Sequence, residues 1–239
     1  MRCERRWFEA AVSREMSTFP AAQLELREQI ISYCRRLGQL GLNQGTSGNI
    51  SARVGPDPAD GFLLTPTSLD YETMQAADLV HVSLDGTCAG PRRASSELPF
   101  HLAILGARPD ARAIIHTHST HATAVACIRR SIPALHYLVA LFGGADIRCA
   151  AYATFGTDEL SSNIVQALAG RRAALMANHG LVVIGDSLAH ALALTIEAEQ
   201  LAKLYLATLA SGVAPVILDD REIDAVTERF RPYGYRPVE

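Results

Sequence analysis

The chain has no CxxC pair, and its five cysteines (Cys3, Cys34, Cys88, Cys127, Cys149) are odd in number and scattered. A thiolate zinc site and a disulfide framework are therefore poor readings, and a reducing, cytoplasmic setting is expected. A basic surplus is missing too: 22 Lys and Arg face 25 Asp and Glu, for a formal net charge of −3. This argues against a nucleic-acid footprint and against a polybasic membrane patch. The pairs Arg92-Arg93, Arg129-Arg130 and Arg171-Arg172 are dispersed and read as solvated surface. No apolar run approaches the ~20 residues of a membrane-spanning helix. Neither GxxxxGK[ST] nor GxGxxG occurs, so no nucleotide loop or dinucleotide fold is indicated. Repeats and low-complexity linkers are also absent.

The first twenty residues carry Arg2, Glu4, Arg5, Arg6, Arg14 and Glu15 with no apolar core of the kind a signal peptide needs. Residues 1–20 are read as an N-terminal extension that ends at Pro20, and 21–239 as a single domain. With 49% hydrophobic residues in 239, the chain can bury an ample core.

Periodicity divides the rest into alternating elements. From Ala21, apolar residues at Leu24, Ile30, Ile31, Cys34 and Leu37 recur at helical spacing, and Gly41 suits a C-terminal cap. Further helices are expected from Ser95-Ser96-Glu97 through Arg108, His121 to Arg130, Thr157 to Ala169 and Ser187 to about Ser211. Asp219 with Glu222 forms a capping-box pattern for a last helix. Strands are expected at Gly61–Leu64, Leu79–Leu84, Ala113–Ile115, Asp146–Ala150 and Ala173–Met176, the last with Leu181–Ile184 as hairpin partner.

Two stretches carry chemistry. Ala113-Ile114-Ile115 runs into His116-Thr117-His118. Residues two apart on a strand share a face, so both imidazoles leave its end side by side. That makes half of a divalent-metal site, for which Glu97 and His179 are the candidates to complete the set. His121 is a rival ligand, read more readily as a helix-surface or interface residue; His81, His101, His136 and His190 are read as structural. The second stretch is Gly45-Thr46-Ser47-Gly48-Asn49-Ile50-Ser51, which can form a backbone nest for an anion or simply a tight turn. Ser95 and Ser96, at an expected helix N-terminus, could hold an anion as well.

As a set, these pieces resemble the class II aldolase/adducin family. The resemblance runs through Gly41-Leu42-Asn43-Gln44-Gly45-Thr46, Thr65-Pro66-Thr67, Ser95-Ser96-Glu97, His116-Thr117-His118, Ser131 to Tyr137, Tyr152 to Thr157 and His179-Gly180-Leu181. They occur in family order and span roughly Ala21 to Arg236. The resemblance implies an α/β fold of three layers, α/β/α, around a mixed, largely antiparallel sheet. It implies zinc, or a related divalent ion such as Mn²⁺ or Co²⁺, on His116, His118, His179 and Glu97, with Glu97 also exchanging protons. Thr46, Asn49, Ser95 and Ser96 match positions that hold a substrate phosphate, with Thr67 and Ser68 in the adjoining loop.

Tyr137 matches a catalytic tyrosine contributed across a subunit interface of a fourfold-symmetric homotetramer. Tyr233 and Phe155 match residues at the aldehyde end. The implied reaction is retro-aldol cleavage of a ketose 1-phosphate to dihydroxyacetone phosphate and an aldehyde. L-fuculose 1-phosphate is the leading substrate, and a 5-deoxyribulose or 5-methylthioribulose 1-phosphate is its rival. Pentulose-phosphate 4-epimerases, sugar-acid phosphate decarboxylases and non-catalytic adducin-like modules share the pattern. Ser68 stands where a glycine is usual, and Ala151 where a proline is usual.

Overall fold

The computed structural model of the protein describes residues 19–234, with Tyr233 as backbone only. The expected N-terminal extension thus lies outside the described residues except for Phe19 and Pro20. The Tyr233 side chain, Tyr235 and Arg236 lie outside them too.

Helix α1, Ala21–Gln39, buries Ile30, Ile31, Cys34 and Leu37 along one face, as the spacing requires. It ends on Gly41 at φ 68. There Leu42 N–H donates to Leu37 O at 2.9 Å and Gly41 N–H to Gly38 O at 3.0 Å, the paired bonds of a Schellman cap.

The strands are β1 (Asn49–Arg53), β2 (Phe62–Leu64), β3 (Val80–Val82), β4 (Cys88–Ala89), β5 (Ala113–Thr117), β6 (Ile132–Pro133), β7 (Asp146–Ala150), β8 (Ala173–Met176) and β9 (Gly180–Gly185). Together they form one sheet in the order β4-β3-β2-β1-β5-β9-β8-β7-β6. Every pairing is antiparallel except β7 with β8. This is the mixed, largely antiparallel sheet that was expected. The stretch Gly45–Ser51, expected to form an anion nest or a tight turn, passes at Asn49 into β1, a strand buried along its whole length.

Alternation along the strands builds a core on each side. Ile114, Val182, Ile184 and Met176 point toward helices α2 (Leu98–Ala107) and α4 (Asp158–Ala167). Ala113, Ile115 and Ile50 face α1, while Leu175, Leu181 and Val183 face α5 (Leu188–Ala210). Helices α3 (Thr120–Cys127) and α6 (Asp220–Phe230) join that second layer. Fully burying one such Ile or Leu side chain contributes roughly 1.5–3 kcal/mol. The result is three layers, α/β/α. Among the described residues no helix is long and apolar enough to cross a membrane.

Two helix starts follow the expected chemistry. Thr157 accepts from Leu160 N–H, and Asp219 and Glu222 cap each other reciprocally. The start of α2 differs from expectation. Neither serine caps it: Glu97 occupies the N-cap position without a side-chain cap bond, and proline sits in the first turn. Proline lacks the N–H that a cap would satisfy and suits that turn, so Ser95 is left for other partners.

Candidate metal centre and anion pocket

Because β5 ends at Thr117, His116 is the last inward residue of the strand and His118 the first beyond it. Their rings sit 4.9 Å apart, and the His179 ring lies 4.9 Å from the first and 5.1 Å from the second. His179 arrives from the β8–β9 turn, where Asn178 adopts φ 53. Gly180 makes the approach possible: a Cβ there would stand 2.5 Å from Thr117 O and 3.0 Å from His118 Cδ2. The three imidazoles present ligand atoms all within 4.8 Å of one another. Glu97 closes the group, its Oε2 3.1 Å from His116 Nε2 and its Oε1 3.0 Å from His179 Nε2.

The donor set fits a divalent cation. His116 Nδ1 lies 2.9 Å from Leu181 O, which can only accept, so Nδ1 carries the proton. In the neutral ring Nε2 is then a bare lone pair aimed at the cluster, the arrangement that metal-ligating histidines adopt. That nitrogen is 3.1 Å from His118 Nε2 as well as from the Glu97 carboxylate. Glu97 Oε1 is buried with no hydrogen-bond partner, despite its closeness to His179. Lone pairs facing one another at this range repel unless a proton or a cation lies between them.

The electrostatics agree. Burial alone would raise the proton affinity of Glu97, but His116 and His179 outweigh it and hold the carboxyl well below the usual carboxylate range. Burial would lower the His116 pKa, and Glu97 with the Leu181 carbonyl more than reverses this. His118 is pulled down to about 4, first by burial and then by the neighbouring imidazoles.

Beside the cluster opens a cavity of about 390 Å³. Thr46, Asn49, Thr67, Ser68, Ser95 and Ser96 all line it, with Glu97, His118 and His179 at its inner end and Phe155 and Tyr152 at its lip. Ser68 takes φ 56, so a backbone shape suited to glycine is adopted here by serine. Ser95 Oγ accepts from Asn49 Nδ2 at 3.2 Å and from Glu97 N–H at 3.2 Å. With both acceptor positions engaged, what this hydroxyl offers the cavity is its proton. Asn49 is committed as well, donating to Glu97 Oε2 at 2.7 Å, and so ties the acid to the hydroxyl pocket.

Tyr137 and His121 stand elsewhere. Tyr137 is about half exposed and does not line this cavity; its ring lies 4.7 Å from that of His136 and 6.2 Å from that of Phe230. The Tyr233 side chain lies outside the described residues. His121, the rival ligand, pairs with Glu199 at 2.7 Å. The Glu199 carboxylate also accepts from the backbone N–H groups of His121 and Ala122, and so caps α3. Sequence reasoning missed Asn43, whose Oδ1 accepts from His118 N–H at 3.2 Å, and Tyr71, whose hydroxyl donates to Gly48 O at 2.7 Å. Asn43 lies inside the family-like stretch Gly41–Thr46, yet nothing there singles out its side chain, and Tyr71 stands in ordinary loop sequence after β2.

Fold and site together define a protein with a three-histidine, one-carboxylate cluster at the end of a central strand, next to a hydroxyl-rich pocket. Residues 28–206 match the family model described as "Class II Aldolase and Adducin N-terminal domain". The chain belongs to the class II aldolase and adducin family, and it is a class II aldolase, a metal-dependent lyase. It is 46% identical over 212 residues to the L-fuculose phosphate aldolase of Escherichia coli K12, covering 89% of this chain and 97% of the relative. A similar likeness, 44% over 215 residues, links it to the 5-methylthioribulose-1-phosphate/5-deoxyribulose-1-phosphate aldolase of Rhodospirillum rubrum, with 90% and 95% covered. A solved structure of an L-fuculose 1-phosphate aldolase superposes with TM-score 0.82 at 37% identity, covering 87% of this chain and 96% of that one.

Proposed function

We propose that this enzyme reversibly cleaves a ketose 1-phosphate to dihydroxyacetone phosphate and an aldehyde, with L-fuculose 1-phosphate as the leading substrate and L-lactaldehyde as its product. The observation that carries the reading is the position of Glu97, between the imidazole cluster and a pocket lined with hydroxyls. His116, His118, His179 and Glu97 would hold zinc, or Mn²⁺ or Co²⁺ in its place. A divalent ion bound there would supply Lewis-acid stabilisation of the negative charge that develops on the ketose oxygens.

The remaining chemistry belongs to the chain. Ser95 and Ser96, with Thr46, Thr67 and Ser68, surround the phosphate of the substrate, and Asn49 contributes by holding Ser95 so that its hydroxyl proton faces the pocket; several neutral donors can fix a dianion without an arginine. Glu97 takes the proton of the substrate hydroxyl as the carbon–carbon bond breaks and returns a proton to carbon. A carboxylate suits that exchange because it can lose contact with the imidazoles and regain proton affinity in a partly dry site. Phe155 shapes the aldehyde end. Tyr137, from a neighbouring subunit of a homotetramer, serves as the acid at the aldehyde oxygen: during cleavage it relays the hydroxyl proton toward Glu97, in the reverse direction it gives that proton back to the oxygen, and Tyr233 acts nearby. What supports the intersubunit role is that Tyr137 stands outside the cavity of its own chain, in an exposed groove with Phe230.

The relatives' names favour two substrates almost equally, because the aldehyde end alone distinguishes them. The test is a coupled assay for dihydroxyacetone phosphate with L-fuculose 1-phosphate, 5-deoxyribulose 1-phosphate and 5-methylthioribulose 1-phosphate. Release from none of the three would refute the reading, and a preference for either ribulose derivative would reassign the substrate. Inversion of a pentulose phosphate with no triose release would make the enzyme an epimerase instead.

A further inference from the structure

Beneath the floor of the cavity a buried chain of polar side chains leads to Asn49 and Glu97 from Ser51 and His101, which the proposed reaction does not use. Ser51 Oγ lies 2.7 Å from His101 Nδ1, and His101 Nε2 lies 2.5 Å from Asn49 Oδ1. The Asn49 amide then reaches Glu97 Oε2 at 2.7 Å. Ser51 and His101 are completely shielded from solvent, and Asn49 nearly so.

The direction of every bond in this chain follows from one charge. An ionised carboxylate can only accept, so the Asn49 atom facing Glu97 must be the NH₂ group. Its oxygen is then turned to His101, which must donate from Nε2. A neutral ring protonated at Nε2 has a bare Nδ1, and that nitrogen accepts the Ser51 hydroxyl. Asn49 could face Glu97 with its oxygen only if the imidazole carried its proton on Nδ1, and two acceptors would then collide at 2.7 Å.

We propose that His101 is a positioning residue which, through Asn49, aims the hydrogen bond that anchors Glu97 Oε2 while Oε1 stays free for proton exchange. The inference rests on Glu97 being the proton-exchanging carboxylate. His101 itself touches neither the imidazole cluster nor the cavity. Its burial keeps it neutral, and the Asn49 oxygen, turned toward it by the Glu97 charge, selects the tautomer, which the Ser51 hydroxyl accommodates by donating to Nδ1. Phe100, stacked on its ring at a 4.5 Å centroid distance, holds its plane.

Two measurements test this. In ¹⁵N-histidine-labelled wild-type protein at neutral pH, the His101 ring should show a proton on Nε2, and its signal should shift in Asn49→Ala. A ring protonated on Nδ1 would overturn the inference, and this readout needs no turnover. In kinetics of metal-loaded protein, His101→Leu should lower kcat roughly 10–100-fold, the range seen when a supporting partner is removed, with little change in KM. His101→Gln, which restores a donor near the Nε2 position, should recover most of it. The double variant with Asn49→Ala should be no slower than Asn49→Ala alone. Additive losses, an unimpaired His101→Leu or a His101→Gln as slow as His101→Leu would refute the relay. If His101→Leu does not fold, the tautomer and the His101→Gln rate still decide. A wild-type enzyme that cleaves no ketose 1-phosphate would instead refute the proposed reaction, leaving the tautomer to judge the relay.

Discussion

Asn49 and His116 are cross-strand neighbours, paired in register between β1 and β5. Asn49 bonds Glu97 Oε2 from one side while His116 Nε2 faces the same oxygen at 3.1 Å from the other. One carboxylate oxygen is thus shared by a neutral donor and a nitrogen whose lone pair calls for a cation, and this arrangement sets the first expectation.

Dialysis against a chelator should reduce turnover to background, and Zn²⁺, Mn²⁺ or Co²⁺ should restore it. Glu97→Gln keeps the size of the side chain but cannot exchange the proton, so kcat should fall by about 10²–10⁴-fold. Full turnover by metal-free protein would show that the imidazoles are not ligands in the reaction. Metal content by atomic absorption and the coupled triose assay give both readings.

Gly180 has no room for a methyl group. A Cβ would press on Thr117 O at 2.5 Å and on His118 Cδ2 at 3.0 Å, and neither the backbone of β5 nor a ring in the cluster can yield easily. Gly180→Ala should cost about 1–3 kcal/mol of stability, the usual range for overpacking. Because the strain falls on two ligand-bearing segments, metal content should drop with it. Urea unfolding beside metal analysis measures both, and an unchanged midpoint would mean that the turn relaxes freely.

Glu199 caps α3 from a helix far along the chain, accepting from His121 and Ala122 N–H at 2.9 and 2.8 Å. Glu199→Ala leaves those donors without an acceptor at the helix N-terminus. The loss of a cap is worth about 0.5–2 kcal/mol. A shift in the denaturation midpoint with an unchanged slope is the expected outcome.

The pH dependence of stability should carry a His101 component. Burial pulls the His101 pKa down from 6.5 to about 3. Glu97 and His116 are the titratable groups that act on it in the fold, the first raising its proton affinity and the second, when protonated, lowering it. Between those two pH values the unfolded chain binds a proton that the folded chain refuses, so this contribution is complete above about pH 6.5 and lost as pH falls toward 3. The slope is at most about 1.4 kcal/mol per pH unit. His101→Gln should flatten the acid limb of a Tm-against-pH curve relative to wild type, and parallel curves would contradict it.

Much of this was legible in the sequence because it is local. Helical spacing in α1, the reciprocal pattern of Asp219 with Glu222, and the two-residue step from His116 to His118 each depend on residues a few positions apart. Glu97 and His179 could be named as partners from residue type and from resemblance to a family. Strand β1 carries a weak signal: Asn49-Ile50-Ser51-Ala52-Arg53 alternates polar with apolar, but over only five residues whose apolar members are Ile50 and Ala52, and the strand gains its pairing from β2 and β5. The start of α2 was not legible, because the serines favoured as caps are drawn into the pocket.

By itself, then, the sequence determined the principal helices, most of the longer strands with their apolar faces, and the residue types able to bind a cation and an anion. Tertiary structure alone decided which of eight histidines meet. It set His116, His118 and His179 around Glu97, sent His121 to Glu199 across 78 positions of chain, and lodged His101 against Asn49 across 52. The physical reason is that such meetings depend on strand register and helix packing, which are properties of the whole sheet. An imidazole is the same group in each case, and its neighbours make it a ligand, a cap partner or a buried donor.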